Sequence, residues 1–211
     1  MYIKGRQMPD GSWPYPEADT RPPLCSDYMG QTALALRALQ LYAPKGLRAE
    51  YEKSVGMAAA WLAKTEAKST EDHLWKMLGL GWAGRDREAI AKERRELLAL
   101  QRADGSWGDL PSMGSSAYAT GKALVALHDA GLAVTDAAYR RGVEYLVKTQ
   151  QADGSWFVQT RALGFQPYFE TGFPHGVNQS ISSAGSSWAT MALILGSGSP
   201  AEKKSVADLR N

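Results

Sequence analysis

Apolar positions fall along this chain in two alternating kinds of run. The first kind is apolar nearly all round and rich in small residues: "GQTALALRAL" (Gly30–Leu39), "YATGKALVAL" (Tyr118–Leu127) and "WATMALILG" (Trp188–Gly196). A helix apolar on every side is buried on every side, so these runs predict inner helices. "LWKMLGLGWAG" (Leu74–Gly84) reads as a degenerate member of the set. The second kind is amphipathic. In Val134–Gln150, the residues Tyr139, Gly142, Val143, Leu146 and Val147 make one apolar face at helical spacing, while Arg140, Glu144 and Lys148 stand four apart on another. Leu47–Glu66 and Arg85–Gln101 share that character, and all three predict outer helices. The charge-dense "GRDREAIAKERREL" is such a wet face; its acids interleave with its bases, which argues against a nucleic-acid patch.

A polar turn separates each outer helix from the next inner one. Q-x-x-D-G-S-W occurs at Gln7–Trp13, Gln101–Trp107 and Gln150–Trp156, and the first two copies lie nearly twice as far apart as the last two. A worn copy is therefore expected between them. "YLVKTQQADGSW" (Tyr145–Trp156) can be laid on "WLAKTEAKSTEDHLW" (Trp61–Trp75), which puts Glu66 at the place of Gln150 and removes the Gly of the turn. The repeating unit is thus inner helix, outer helix, turn. Asp and Gly supply chain reversal, Gln can bond exposed backbone at a neighbouring helix end, and Trp brings a large apolar area between adjacent units. The turn reads as a clasp, and its Asp residues are not expected to be catalytic.

Composition narrows the classes. The chain has 211 residues, enough for one substantial core, with 44% apolar and 22% charged residues. A net charge of +2 gives no reason to expect nucleic acid or a membrane surface as partner. Cys25 is the single cysteine, so no intrachain disulfide framework is available. No apolar run has the length of a transmembrane segment.

The turns resemble the QW motifs of squalene-hopene and oxidosqualene cyclases, and "GQTALALRAL" resembles the "SQTAWAL" helix starts of the same proteins. The wider group is the prenyltransferase/squalene oxidase repeat. The resemblance covers most of residues 7 to 196 and implies an all-α, α/α toroid with inner helices around an axis and outer helices around them. It also implies a ligand cavity opening at one end, among the loops and inner helix ends. Cyclases of this kind protonate an alkene with the middle Asp of a D-x-D-D motif that stands directly before the Thr of an inner helix. An alkene is so weak a base that the acid must be a neutral carboxyl in a dry site, and aromatic faces then stabilise the carbocation. The matching positions here are Tyr28–Gln31, Ser116–Ala119 and Ser186–Ala189, none with a carboxylate. The zinc set of the prenyltransferase β-subunits is not matched either: Cys25 and Asp27 are close, but no His follows in the family's pattern. No metal and no cofactor is expected.

The expected architecture is an incomplete arc of about seven helices, with residues 1–196 as the repeat segment and 197–211 as a polar tail. A closed ring of six pairs would need on the order of 280 residues at this spacing. The chain therefore reads as the C-terminal part of a longer protein, or as an arc completed by a partner subunit. The long stretch from Trp156 to Ser182 carries Phe165, Tyr168, Phe169, Glu170, Phe173 and His175, which either plug one end of the arc or line a site. The expected ligand-binding set is Trp75, Tyr118, Phe165, Tyr168, Glu170, His175 and Trp188, holding an apolar, isoprenoid-type small molecule. Any catalysis would be terpene-cyclase-like and would use residues outside this chain. Two further classes compete: a non-catalytic interaction module, and a carbohydrate-active α/α toroid using acids among Glu17, Asp19, Asp109 and Glu170.

Overall fold

The computed structural model describes residues 2–14, 28–84, 87–162 and 169–197, and these consist of helices and loops alone. Seven long helices follow a short opening turn. The opening turn is α1 (Tyr2–Gly5), and the seven helices are α2 (Tyr28–Tyr42), α3 (Arg48–Lys64), α4 (Thr70–Trp82), α5 (Arg87–Ala99), α6 (Ala117–Asp129), α7 (Ala137–Thr149) and α8 (Gln179–Gly196). Helices α2, α4, α6 and α8 touch one another in that order, and α3, α5 and α7 each lie against the inner helix before them. This is the inner–outer arc that the two kinds of apolar run predict.

The inner helices approach closely because small residues meet at their contacts. A Cβ built on Gly121 of α6 would lie 2.6 Å from the backbone of Trp188 and Ala189 of α8, and one on Gly79 of α4 would meet Ala33 of α2 and Leu62 of α3. Helix α6 has neighbours on every side, and an unbroken run from Ala117 to Leu124 is buried. Local signals fix the helix ends. Ser69 and Asp72 form a reciprocal capping box at the start of α4, and Ser116 and Asp136 cap α6 and α7. Helix α6 stops where Gly131 turns left-handed (φ 86°) and Leu132 N–H donates back to the Leu127 carbonyl at 2.8 Å.

The polar turns are built alike. The indole Nε1–H of Trp13, Trp107 and Trp156 donates to the carbonyl ten positions earlier, on Ile3, Leu97 and Leu146 respectively, at 2.7–2.8 Å. The backbone N–H of the same three tryptophans donates, at 3.0 Å, to a hydroxyl of the next inner helix: Thr32, Thr120 or Ser186. Trp107 and Trp156 are almost wholly buried. Burying about 200 Å² of indole surface contributes roughly 5 kcal/mol each. The turn carboxylates are occupied structurally. Asp10 and Asp153 are held below the ordinary carboxylate range by bonds from the backbone and hydroxyl of Ser12 and of Ser155.

Two expectations change in detail. Helix α8 begins at Gln179, nine residues before the predicted Trp188, so the loop after the third turn is shorter than expected. Its first half, "QSISSAGSS", has poor helix propensity and is held by packing: Ile181, Ser182 and Gly185 are buried, and a Cβ on Gly185 would strike Val158. A short helix, α1, stands before the first turn, where the sequence reading placed none, and supplies the Ile3 carbonyl. The worn turn stands where it was laid: Thr65 Oγ1 donates to the Trp61 carbonyl as Thr149 Oγ1 does to that of Tyr145, both at 2.8 Å. Most of the polar tail, residues 198–211, lies outside the described residues.

Candidate functional site

The inner helices bring one charged and aromatic cluster together, at the facing sides of α4, α6 and α8. Glu71 and Trp75 stand one turn apart on α4, Tyr118 and Lys122 one turn apart on α6, and Trp188 faces them from α8. The Lys122 ammonium is almost fully buried and lies 4.3 Å from the ring centroid of Tyr118, 5.2 Å from that of Trp188 and 5.4 Å from that of Trp75. Its ion partner is Glu71, also buried, with which it forms a short contact. The same carboxylate accepts from Trp75 Nε1–H at 2.7 Å and from the Tyr118 hydroxyl at 3.2 Å. Lys122 also donates to Tyr118 Oη at 2.5 Å. The buried charges of this cluster thus answer each other and the Trp75 and Tyr118 donors, as buried charge requires.

A second ionisable pair lies beside it. The loop after the second turn is pinned to the start of α4, where Thr70 N–H donates to the Asp109 carbonyl (3.1 Å) and Thr70 Oγ1–H to that of Gly108 (2.7 Å). Asp109 Oδ2 faces Arg161 Nη2 at 3.4 Å, while its Oδ1 is buried with no hydrogen-bond partner among the described residues. Burial, aided by the Glu71 charge, pushes the Asp109 carboxyl up to about 6 against the pull of Arg161 and Lys122. Asp109 and Arg161 border a cavity of about 230 Å³ whose other walls include Met113, Phe157, Val158 and Ile181.

Of the expected ligand-binding residues, the structure brings Trp75, Tyr118 and Trp188 together. Tyr118 is fully buried, so the two tryptophans carry the accessible ring surface. Phe165 and Tyr168 lie outside the described residues, as do Glu17, Asp19, Cys25 and Asp27. Glu170 is exposed and accepts from the Gly172 N–H at 2.8 Å. His175 sits at the third turn, its Nε2 2.8 Å from Ser155 Oγ and its ring edge-on to Phe157 and Phe173.

The helix-start comparison made on the sequence passes over α4, and that is where Glu71 was missed. Ser69 caps α4 through Asp72 N–H as Ser116 caps α6 through Ala119 N–H, so Ser69–Asp72 matches Ser116–Ala119 in register. Glu71 then stands at the place of Tyr118, and Asp72 at that of Ala119. The signal was the cap serine, hidden because the turn before α4 has lost its glycine. The register also shifts on α8. Ser186 holds the hydroxyl role of Thr32 and Thr120, so the preceding positions are Ser182–Gly185 rather than Ser186–Ala189. In the "SQTAWAL" pattern, moreover, the run Thr120-Gly121-Lys122 places Lys122 at the Trp position.

A further buried triad lies between α4 and α5. Glu93 accepts from Lys76 (2.7 Å) and pairs with His73 Nδ1 (2.6 Å); burial pushes its carboxyl up, and these two partners more than reverse that. Glu96 stands near enough to complete a three-ligand set with His73 and Glu93, but the Lys76 ammonium already occupies the Glu93 carboxylate.

Comparison with known proteins agrees with this architecture. The family model of the squalene-hopene cyclase C-terminal domain matches residues 84–178, from the approach to α5 to the threshold of α8. A squalene–hopene cyclase of Bradyrhizobium diazoefficiens is 33% identical over a 162-residue alignment that covers 65% of this chain and 23% of that protein. The chain therefore spans about a quarter of that relative's length.

Proposed function

Since the chain is squalene-cyclase-like, with the all-α terpenoid-cyclase type of fold, we propose that it binds an apolar, isoprenoid-type ligand along its inner helices without supplying a proton for cyclisation. The observation that carries this reading is the Lys122 ammonium at the centre of the Trp75, Tyr118 and Trp188 rings. Ring faces stabilise a passing cation when their negative faces are open to it. Here a fixed positive charge already holds them. The two carboxylates at the start of α4 are both engaged: Glu71 accepts from Trp75, Tyr118 and Lys122, and Asp72 from the N–H groups of Lys68 and Ser69. What remains suited to binding is the accessible surface of Trp75 and Trp188.

The test has two arms. The chain is incubated with squalene and the extract examined by mass spectrometry; pentacyclic product overturns the non-cyclising half. A non-hydrolysable isoprenoid analogue is titrated against tryptophan fluorescence, with Trp75→Phe and Trp188→Phe as controls. A saturable change that either variant weakens supports binding. No saturable change favours an interaction module instead. That second reading draws on Leu34 and Leu41 of α2 and Met191 and Ile194 of α8, which leave apolar surface exposed on the outermost inner helices.

A further inference from the structure

We infer that Lys122 is the resident guest of a receptor for a primary alkylammonium group, and that this receptor persists when the guest's own chain is cut back. The recognition elements come from three separate helices: a Trp from α4, a Tyr from α6, a Trp from α8, and the Glu71 carboxylate as counter-ion. Aromatic faces converging on an ammonium, out of water and with a carboxylate at hand, form the arrangement that recognises organic cations.

Each wall also has a contact of its own besides that to Lys122. Trp75 donates its indole N–H to Glu71, Tyr118 is fully buried and bonds Glu71 as well, and the α8 backbone that carries Trp188 packs closely on Gly121. A cage positioned in this way loses little freedom when it takes a ligand. Truncation to Ala removes the side chain beyond Cβ. The piece removed has the size, charge and shape of propylammonium, which makes that ion the matching probe. The inference does not require that an isoprenoid binds.

The experiment compares propylammonium chloride with 1-propanol, a neutral molecule of the same size, at ionic strength matched with NaCl. In the wild-type chain neither should shift the thermal midpoint saturably, because the cage is filled. In Lys122→Ala, propylammonium should raise the midpoint saturably and alter tryptophan emission. 1-Propanol should act about tenfold more weakly or not at all. Lys122→Ala strands the buried Glu71 charge, so the variant is also scored for recovery of helical circular dichroism on adding propylammonium. Glu71→Gln/Lys122→Ala removes that stranded charge while keeping the rings, and should show the same selectivity at lower affinity. Equal response to the two probes overturns the inference. So does the absence of any propylammonium response in both variants, including failure to recover fold in its presence.

Discussion

The side-chain amide of Gln101 donates to the carbonyl of Ala138 at 2.8 Å, reaching from a turn to an outer helix of the next repeat. It also donates to Gly105 within its own turn. Gln7 does the same, bonding Gly11 and Ser54. Gln150 bonds Gly154 of its own turn, and no described residue takes the second role.

That difference predicts an order of stability losses. Gln101→Ala should cost about 1 to 2 kcal/mol, and Gln150→Ala less than about 0.5 kcal/mol. Urea denaturation of the two variants checks this, and equal losses would show that the bridge to Ala138 contributes nothing.

The turn glycines should also separate. Gly105 and Gly154 both have positive φ (85° and 83°), but a Cβ on Gly105 would lie 2.4 Å from the Arg141 carbonyl, while one on Gly154 meets only Gln150 Nε2 at 4.0 Å. Gly154→Ala should cost about 1 kcal/mol of backbone strain. Gly105→Ala should cost several times that, because Arg141 backbone must move. Thermal midpoints of the two variants decide the point.

The buried triad of α4 and α5 should behave as one unit. Lys76→Met leaves Glu93 with one partner fewer and should cost about 3 kcal/mol. Adding Glu93→Gln to it should recover most of that loss. A double-mutant cycle measures the coupling, and simple additivity would contradict the triad.

The Asp109 carboxyl predicts a pH dependence of definite sign. Its folded value, about 6, lies above its ordinary 3.8, so between these values the folded state holds a proton that the unfolded state releases. Stability from this group is complete below pH 4 and is lost as pH rises through 6, on the order of 2 to 3 kcal/mol in all. Asp109→Asn should flatten that part of the profile. Urea melts of both proteins from pH 4 to 8 give the difference, and parallel profiles would exclude the effect.

The architecture was legible because it is written in three strict copies of one turn and in helices of two plain kinds. Trp107 and Trp156 are buried clasps as read, and Gln101 bonds backbone near the start of α7. The first half of α8 was not legible. Ser and Gly there look like loop, and only their contact with Val158 and Tyr118 makes them helix. The candidate site was half legible. Trp75, Tyr118 and Trp188 were placed together from their helix positions, but Lys122 was not among the residues singled out. Nothing local in "GKALVAL" says that its ammonium is folded back under three rings, since its partners come from α4 and α8. Glu71 was hidden by the worn turn before it.

The turn tryptophans have a consequence for how the molecule comes apart. Trp107 is tied at once to the end of α5 through Leu97 and to the start of α6 through Thr120, while its own turn, through Gln101, holds α7. Repeats that met only through helix faces would fray from the ends inward, one hairpin at a time. Here, melting one hairpin strips a hydrogen-bond partner from the hairpins on both sides. The arc is therefore built to lose its structure as a block, and the best-protected amide protons in α5, α6 and α7 should report a common free energy of opening in hydrogen exchange.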